Sequence, residues 1–314
     1  MPHTTIKPVS MHLAARDFDA FTKAFGDSFA STGFAVVADH GLDQTRIDAA
    51  LGAMRAFFAL PEASKLAYFD AGLGGQRGYT PFRVETAKGA VEADLKEFWH
   101  VGRDLPQGHP LSVSMLPNLW PVEIAAFKAE VSWLYAALDH LGATLLRALA
   151  RYLGLSDTWF DGTVDVGNSV LRLLHYPPVA AGSSGIRAGA HEDINVITLL
   201  LGADEAGLEV LDRGGNWIAI NPPPGSLVCN IGDMLQRLTN HVLPSTTHRV
   251  VNPTPDRASV ARYSTPFFLH FNSDFLIETL PSCISAERPN AYPEPITADD
   301  YLQIRLKEIG LVKA

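Results

Sequence analysis

"AGAHEDINVITLLLG", residues 188–202, sets a histidine and an aspartate two positions apart at the head of an apolar run. Side chains alternate along a strand, so His191 and Asp193 share one face and Glu192 takes the other. An imidazole and a carboxylate on one face can give a metal two ligands. Alone the pattern is weak, because the polar edge of a strand that binds nothing produces it too.

Two further stretches bear on it. "LTNHVLPSTTHRVV", residues 238–251, holds His241 and His248. His248 opens a β-branched run in which it shares a face with Val250, whereas His241 sits in turn chemistry between "LTN" and "VLP". A ligand is held better by a strand than by a turn tip, so His248 is the candidate third ligand and His241 a loop histidine. "ARYSTPFFLHF", residues 261–271, puts Arg262 and Ser264 on one face. An arginine inside a small barrel is costly unless it meets an anion, and a guanidinium beside a hydroxyl suits a carboxylate. A surface salt bridge is the alternative for that pair alone. The order His-x-Asp, His, Arg-x-Ser is far more specific than any member. Two imidazoles and one carboxylate leave open positions on a metal and point to non-haem Fe(II) that activates O2, with catalytic zinc as the other option.

After residue 165 the chain alternates short apolar runs ("SVLRLLHYP", "GLEVLDRGGNWIAI", "GSLVCNIGDMLQRLTN") with Gly, Pro, Asn and Asp clusters, which predicts a β-sandwich or jelly roll. The first half reads as mostly helical. Phe18, Phe21, Phe25 and Phe29 mark one helix face ended by Gly33. Ile47, Leu51, Met54 and Phe58 mark a second helix, stopped by Pro61. A third pattern spans residues 122–155, with Ile124, Phe127, Val131, Leu134, Leu138, Leu141, Leu145 and Leu149 as its stripe. "FAVVADHG" and "LKEFWHVGRDL" read as strands, residues 69–93 as irregular, and Thr297 with Asp300 as the capping box of a closing helix. The expected architecture is mixed α+β: a double-stranded β-helix (jelly roll) core with a helical N-terminal half and a long supporting helix. We read one domain over 1–314, with a mostly helical part at 1–165, the jelly-roll core at 166–280 and a C-terminal helix at 281–314.

With 314 residues, 47% of them hydrophobic, the chain can bury a sizeable core. Its net charge of −9 argues against nonspecific binding to nucleic acid or anionic membrane. Two cysteines make no disulfide framework, and no stretch resembles a signal peptide or membrane span, so a soluble cytoplasmic protein is expected, and the charge does not exclude a small-molecule substrate, even an anionic one, met by a local arginine. Oligomeric state is not legible.

The residues "HED", "NIGDMLQRLTN", "STTHRVVNP" and "RYSTPFF" resemble the isopenicillin N synthase-like branch of the Fe(II)- and 2-oxoglutarate-dependent dioxygenases, over most of the chain from "TGFAVV" to past "FLHFN". The resemblance implies Fe(II) on His191, Asp193 and His248. It places the distal carboxylate of 2-oxoglutarate on Arg262 and Ser264, with help from Tyr176 in "LLHYPP". It implies oxidation of a substrate C–H bond by O2, most simply to an alcohol, with release of succinate and CO2. Two positions depart from the pattern: Leu174 stands where plant members carry asparagine, and His241 where glycine is usual. Arg-x-Ser also occurs in isopenicillin N synthase itself, so an iron oxidase without 2-oxoglutarate stays open. So does a noncatalytic jelly roll with a structural metal, which the intact ligand set disfavours.

For the substrate, Lys96, Phe98 and His100 share one face of their strand, with Phe98 and His100 as contacts if that face lines the barrel mouth. An edge strand with mixed surface residues is the alternative. Arg83 in the glycine-rich segment is a candidate lid residue. Phe268 and His270 follow Arg-x-Ser in register, the first as core and pocket wall, the second as a partner for substrate or water.

Overall fold

The computed structural model describes residues 6–73, 75–86, 92–113, 115–179, 185–201 and 206–308. Parts of the expected irregular segment 69–93 and the end of the closing helix lie outside the described residues.

Two sheets face each other. The strands in chain order are β1 (Pro8–Ser10), β2 (Phe34–Ala38), β3 (Gly78–Thr80), β4 (Glu97–Gly102), β5 (Val170–Tyr176), β6 (Ala188–His191) and β7 (Ile197–Leu201). They continue with β8 (Leu208–Leu211), β9 (Trp217–Ala219), β10 (Leu227–Ile231), β11 (His248–Val250), β12 (Arg262–Leu269), β13 (Leu276–Ile277) and β14 (Ile296–Thr297). The larger sheet runs β1-β2-β10-β7-β12-β5-β4-β3 and the smaller β6-β11-β8-β9, while β13 and β14 pair separately. Phe34, Val36 and Val228 of the larger sheet pack against Leu208, Val210 and Ile220 of the smaller, closing one end of a jelly roll with an apolar plug.

The N-terminal half is more than helical support, because β1 to β4 make half of the larger sheet. Runs of three residues, such as β1 and β3, are too short to show a periodicity. β4 is buried along its whole length, and β3 rather than β4 forms the edge, which removes the mixed surface-strand reading of Lys96, Phe98 and His100.

The helices are α1 (Met11–Arg16), α2 (Phe18–Thr32), α3 (Gln44–Phe58), α4 (Glu62–Leu66), α5 (Phe127–Tyr152), α6 (Asp161–Val164), α7 (Asp233–Leu238) and α8 (Ala298–Glu308). α2 ends as its sequence demands. Gly33 takes φ 72°, and a Cβ there would stand 2.2 Å from Thr246 Oγ1, so both backbone and space require glycine. Pro61 does not merely stop α3, which is capped at Ala59; it is the N-cap of α4. α5 starts at Phe127 rather than at 122, and Ile124 packs from the preceding turn. Its 26 residues span about 39 Å and brace the outer face of the larger sheet. Leu134, Leu138, Leu145 and Leu149 are fully buried there, each contributing about 1.5–3 kcal/mol. The stretch 233–238 after "NIG" forms α7, where an unbroken series of strands was expected. Thr297 caps α8 by accepting from the Asp300 amide at 3.1 Å.

Candidate metal centre

β11 runs antiparallel to β6, and its register sets His248 directly opposite His191. The imidazole centroids are 4.4 Å apart. Strand geometry accounts for this pair but not for Asp193. β6 ends at His191, so Asp193 reaches the centre from the turn into β7, not from a shared strand face as the alternation argument required. The turn is pinned instead. Thr198 Oγ1 donates to Asp193 Oδ2 at 2.5 Å, Asn230 Nδ2 donates to the same oxygen at 2.7 Å, and the Asp233 amide donates to the Asp193 carbonyl at 2.7 Å. Glu192 points to solvent and accepts from Thr247 Oγ1.

With Oδ2 committed, Asp193 Oδ1 faces His191 Nε2 and His248 Nε2, 3.8 Å from each. Two donors about 2.1 Å from a shared cation can stand that far apart. The imidazoles are committed in the same sense. His191 Nδ1 lies 2.8 Å from the Gly189 carbonyl and His248 Nδ1 3.1 Å from the Thr246 carbonyl. A carbonyl only accepts, so each Nδ1 carries the proton and each Nε2 keeps a lone pair for a metal. The three donor atoms lie within 4.8 Å of one another. This donor set, two neutral nitrogens and one carboxylate oxygen, fits a divalent iron with open positions opposite.

The electrostatics agree. Burial pushes the His191 pKa down to about 4, helped by the His248 imidazole, so the ring is neutral at physiological pH. Burial alone would raise the Asp193 pKa, but His248, His191 and the bonds from Asn230 and Thr198 hold it below the usual value. The His191 side chain is 38% exposed against 9% for His248, so the open side of the centre lies past His191.

Arg262 and Ser264 occupy the inward face of β12, opposite Tyr176 and Leu174 of β5, and both are buried. The Arg262 guanidinium carbon is 5.1 Å from the Tyr176 ring centroid. Phe98, Leu174, Tyr176, Ala188 and Val250 form an apolar cluster beside them. A cavity of about 600 Å³ reaches Arg262 from the α3 side; Gln44, Leu200, Ile220 and Ser226 line it, and the triad takes no part in its walls.

The remaining candidates separate. Phe98 and His100 are buried on the inward face of β4. Phe268 is half-buried and sits across from Thr198. His270 lies just beyond β12, 8% exposed, with Nδ1 3.1 Å from the Phe268 carbonyl, and burial lowers its pKa to about 4. Arg83 is exposed with φ 62°, its guanidinium over Phe82 and its amide donating to the Lys96 carbonyl at 3.3 Å. His241 is exposed, 2.8 Å from Tyr292 Oη and stacked on that ring, so it looks away from the centre. Its φ of 62° shows why glycine suits this turn.

Four residues escape the sequence reading. Thr198 and Asn230 pin the carboxylate. Arg172 and Glu85 form a half-buried ion pair on the inward side. Only Arg172 carried a signal, its alternation with Leu174 and Tyr176.

Comparisons with known proteins give the family. Residues 167–271 match the model of the 2OG-Fe(II) oxygenase superfamily, and residues 6–123 that of the N-terminal region of non-haem dioxygenases in morphine synthesis. A 2-oxoglutarate-Fe(II) type oxidoreductase of Emericella nidulans is 32% identical over 88% of this chain and 81% of its own length. The crystal structure of a 2OG-Fe(II) oxygenase family protein from Caulobacter crescentus superposes with a TM-score of 0.92 at 61% identity, covering 98% of this chain and 100% of that one. A full-length Neurospora crassa protein, solved in complex with alpha-KG and thymine, gives 0.85 at 30% identity over 96% of each chain.

Proposed function

The chain belongs to the 2OG-Fe(II) oxygenase superfamily, and on that premise we propose that it hydroxylates a small organic molecule at a centre built by His191, Asp193 and His248. It is a 2-oxoglutarate-dependent dioxygenase that uses Fe(II), 2-oxoglutarate and O2. The observation that carries the residue assignment is the matching commitment of the triad. Each histidine spends Nδ1 on a carbonyl and Asp193 spends Oδ2 on Thr198 and Asn230, which leaves two Nε2 and one Oδ1 aimed at one point.

With iron and 2-oxoglutarate bound, such a centre couples oxidative decarboxylation of the 2-oxoacid, giving succinate and CO2, to oxidation of a substrate C–H bond. The protein supplies positioning and exclusion of water. Arg262 and Ser264 anchor the distal carboxylate, and their burial makes that charge-assisted bond strong; the 2-oxoglutarate-Fe(II) relatives support the reading with 2-oxoglutarate over an oxidase without it. Tyr176 and Leu174 wall the methylene chain; leucine in place of asparagine adds apolar contact and gives up a hydrogen bond. Phe98, Phe268 and His270 frame the mouth where the substrate enters. A small organic substrate is supported by the thymine complex of the Neurospora crassa neighbour. Among the described residues no helix is long and apolar enough to cross a membrane. Cys229 and Cys283 are free and buried, which suits the reducing cytoplasm in which we place the protein.

The test is succinate release that requires both Fe(II) and O2, with ascorbate present. No succinate across a broad panel of small acids, amino acids and heterocycles contradicts the reading.

A further inference from the structure

The mouth of the barrel holds a polar group that the iron and 2-oxoglutarate roles leave unused. Arg172 shares the inward face of β5 with Leu174 and Tyr176, yet its side chain keeps 16% exposure, so it opens into the space above them. Its guanidinium carbon lies 4.3 Å from the Phe98 ring centroid and 5.4 Å from that of Phe268. Phe268 is the cross-strand neighbour of Thr198, which bonds Asp193, so two side chains, Phe268 and Thr198, separate Arg172 from the pinned carboxylate.

The guanidinium is held in one orientation. Nε donates to His100 Nε2 at 2.6 Å, and His100 Nδ1 lies 2.6 Å from the Gly75 carbonyl. Both ring nitrogens are spent on Arg172 and the backbone, which makes His100 a positioning residue rather than a substrate contact. Nη1 and Nη2 donate to Glu85 Oε2 and Oε1 at 3.2 and 3.4 Å. Lys96 Nζ stands 2.6 Å from Glu85 Oε2 and 2.8 Å from Asp94 Oδ2. A guanidinium has five N–H groups, and these contacts use three. A carboxylate accepts at about four sites, and one on Glu85 Oε1 is left. A donor and an acceptor therefore sit side by side.

The charges set the ligand class. Arg172 and Lys96 cancel Glu85 and Asp94. His100 is neutral, because burial first and the Arg172 charge second disfavour its cation. The cluster has no net charge to offset the desolvation of a free carboxylate or ammonium. We propose that Arg172 and Glu85 form the substrate-recognition edge for a planar, uncharged lactam or imide ring, its carbonyl on Arg172, its N–H on Glu85 and its face against Phe268. The proposal names the substrate class of the oxygenase reading above and rests on it.

The test uses the protein loaded with Fe(II) and 2-oxoglutarate under nitrogen, titrated calorimetrically with 2-pyridone, uracil, N-methyl-2-pyridone and benzoate. The two lactams bind, N-methylation weakens 2-pyridone at least tenfold, and benzoate gives no heat. Arg172→Lys, which keeps the charge and loses the fork, weakens 2-pyridone at least tenfold. Benzoate binding as tightly as 2-pyridone, an N-methyl penalty under threefold, or no lactam binding overturns the proposal, and the ligand series decides even if the variant does not fold. Succinate release in air separates the two levels. Release stimulated by benzoate and not by lactams leaves the oxygenase reading standing and overturns this one. Lactam binding without succinate from any compound keeps the binding edge but overturns the oxygenase reading, and with it the claim that the lactam is a substrate.

Discussion

Thr198→Val is the sharpest perturbation of the centre, because it replaces no ligand and changes almost no volume. The hydroxyl stands 2.5 Å from Asp193 Oδ2 at a site 3% exposed. A hydrogen bond to a charged acceptor contributes about 1.5–3 kcal/mol, and each 1.4 kcal/mol is a factor of ten. The freed carboxylate can rotate, so the loss falls on the metal complex, which holds one oxygen fixed. Fe(II) affinity is expected to drop about 10- to 100-fold, the usual cost of losing an outer-shell partner. Collateral damage is small, since the Asn195 amide keeps its bond to the Ile197 carbonyl at 2.7 Å. Asn230 shares the same oxygen, so removing both donors should be non-additive. The assay is anaerobic competition of apoprotein against a chromophoric Fe(II) chelator, with circular dichroism to check the fold. A folded variant within threefold of wild type would refute the claim that these donors set the carboxylate.

Arg262→Met should raise the KM for 2-oxoglutarate at least about 30-fold, since losing one partner of a buried charge pair costs about 2–5 kcal/mol; steady-state kinetics at saturating iron check it, and an unchanged KM places the anchor elsewhere. His270 has a folded pKa of about 4 against an ordinary 6.5, so the unfolded chain takes up protons first as pH falls. Its stabilisation is complete above about pH 6.5 and is lost towards pH 4, about 2 kcal/mol of it by pH 5. Urea melts of apoprotein at pH 7 and 5 should show His270→Gln losing less between them than wild type; equal losses rule this out. His241→Gly should leave Fe(II) stoichiometry unchanged and stability within about 1 kcal/mol, relief of the positive φ offsetting the Tyr292 bond. His248→Ala should abolish iron retention, and metal analysis of the pair decides between the two histidines.

What could be read from the chain follows from distance along it. His191, His248, Arg262 and Ser264 stood out because strand alternation is local and the motifs are short. Asp193 was found for an incomplete reason, since alternation cannot tell where a strand stops and the turn is held by Thr198 and Asn230. Asn230 lies 37 positions from Asp193, and Glu85 lies 87 from Arg172, separations at which no local pattern constrains a pair. The long α5 stripe was plain, but its first turn was not: Ile124 fits the apolar period while its backbone does not continue the helix.

The most direct test of the whole account is anomalous diffraction at the iron edge from crystals of the Fe(II)–2-oxoglutarate complex. The account predicts one peak bonded by His191 Nε2, Asp193 Oδ1 and His248 Nε2, with the distal carboxylate of 2-oxoglutarate on Arg262 and Ser264. A peak held by His241 or His270, or a distal carboxylate turned away from Arg262, would contradict it.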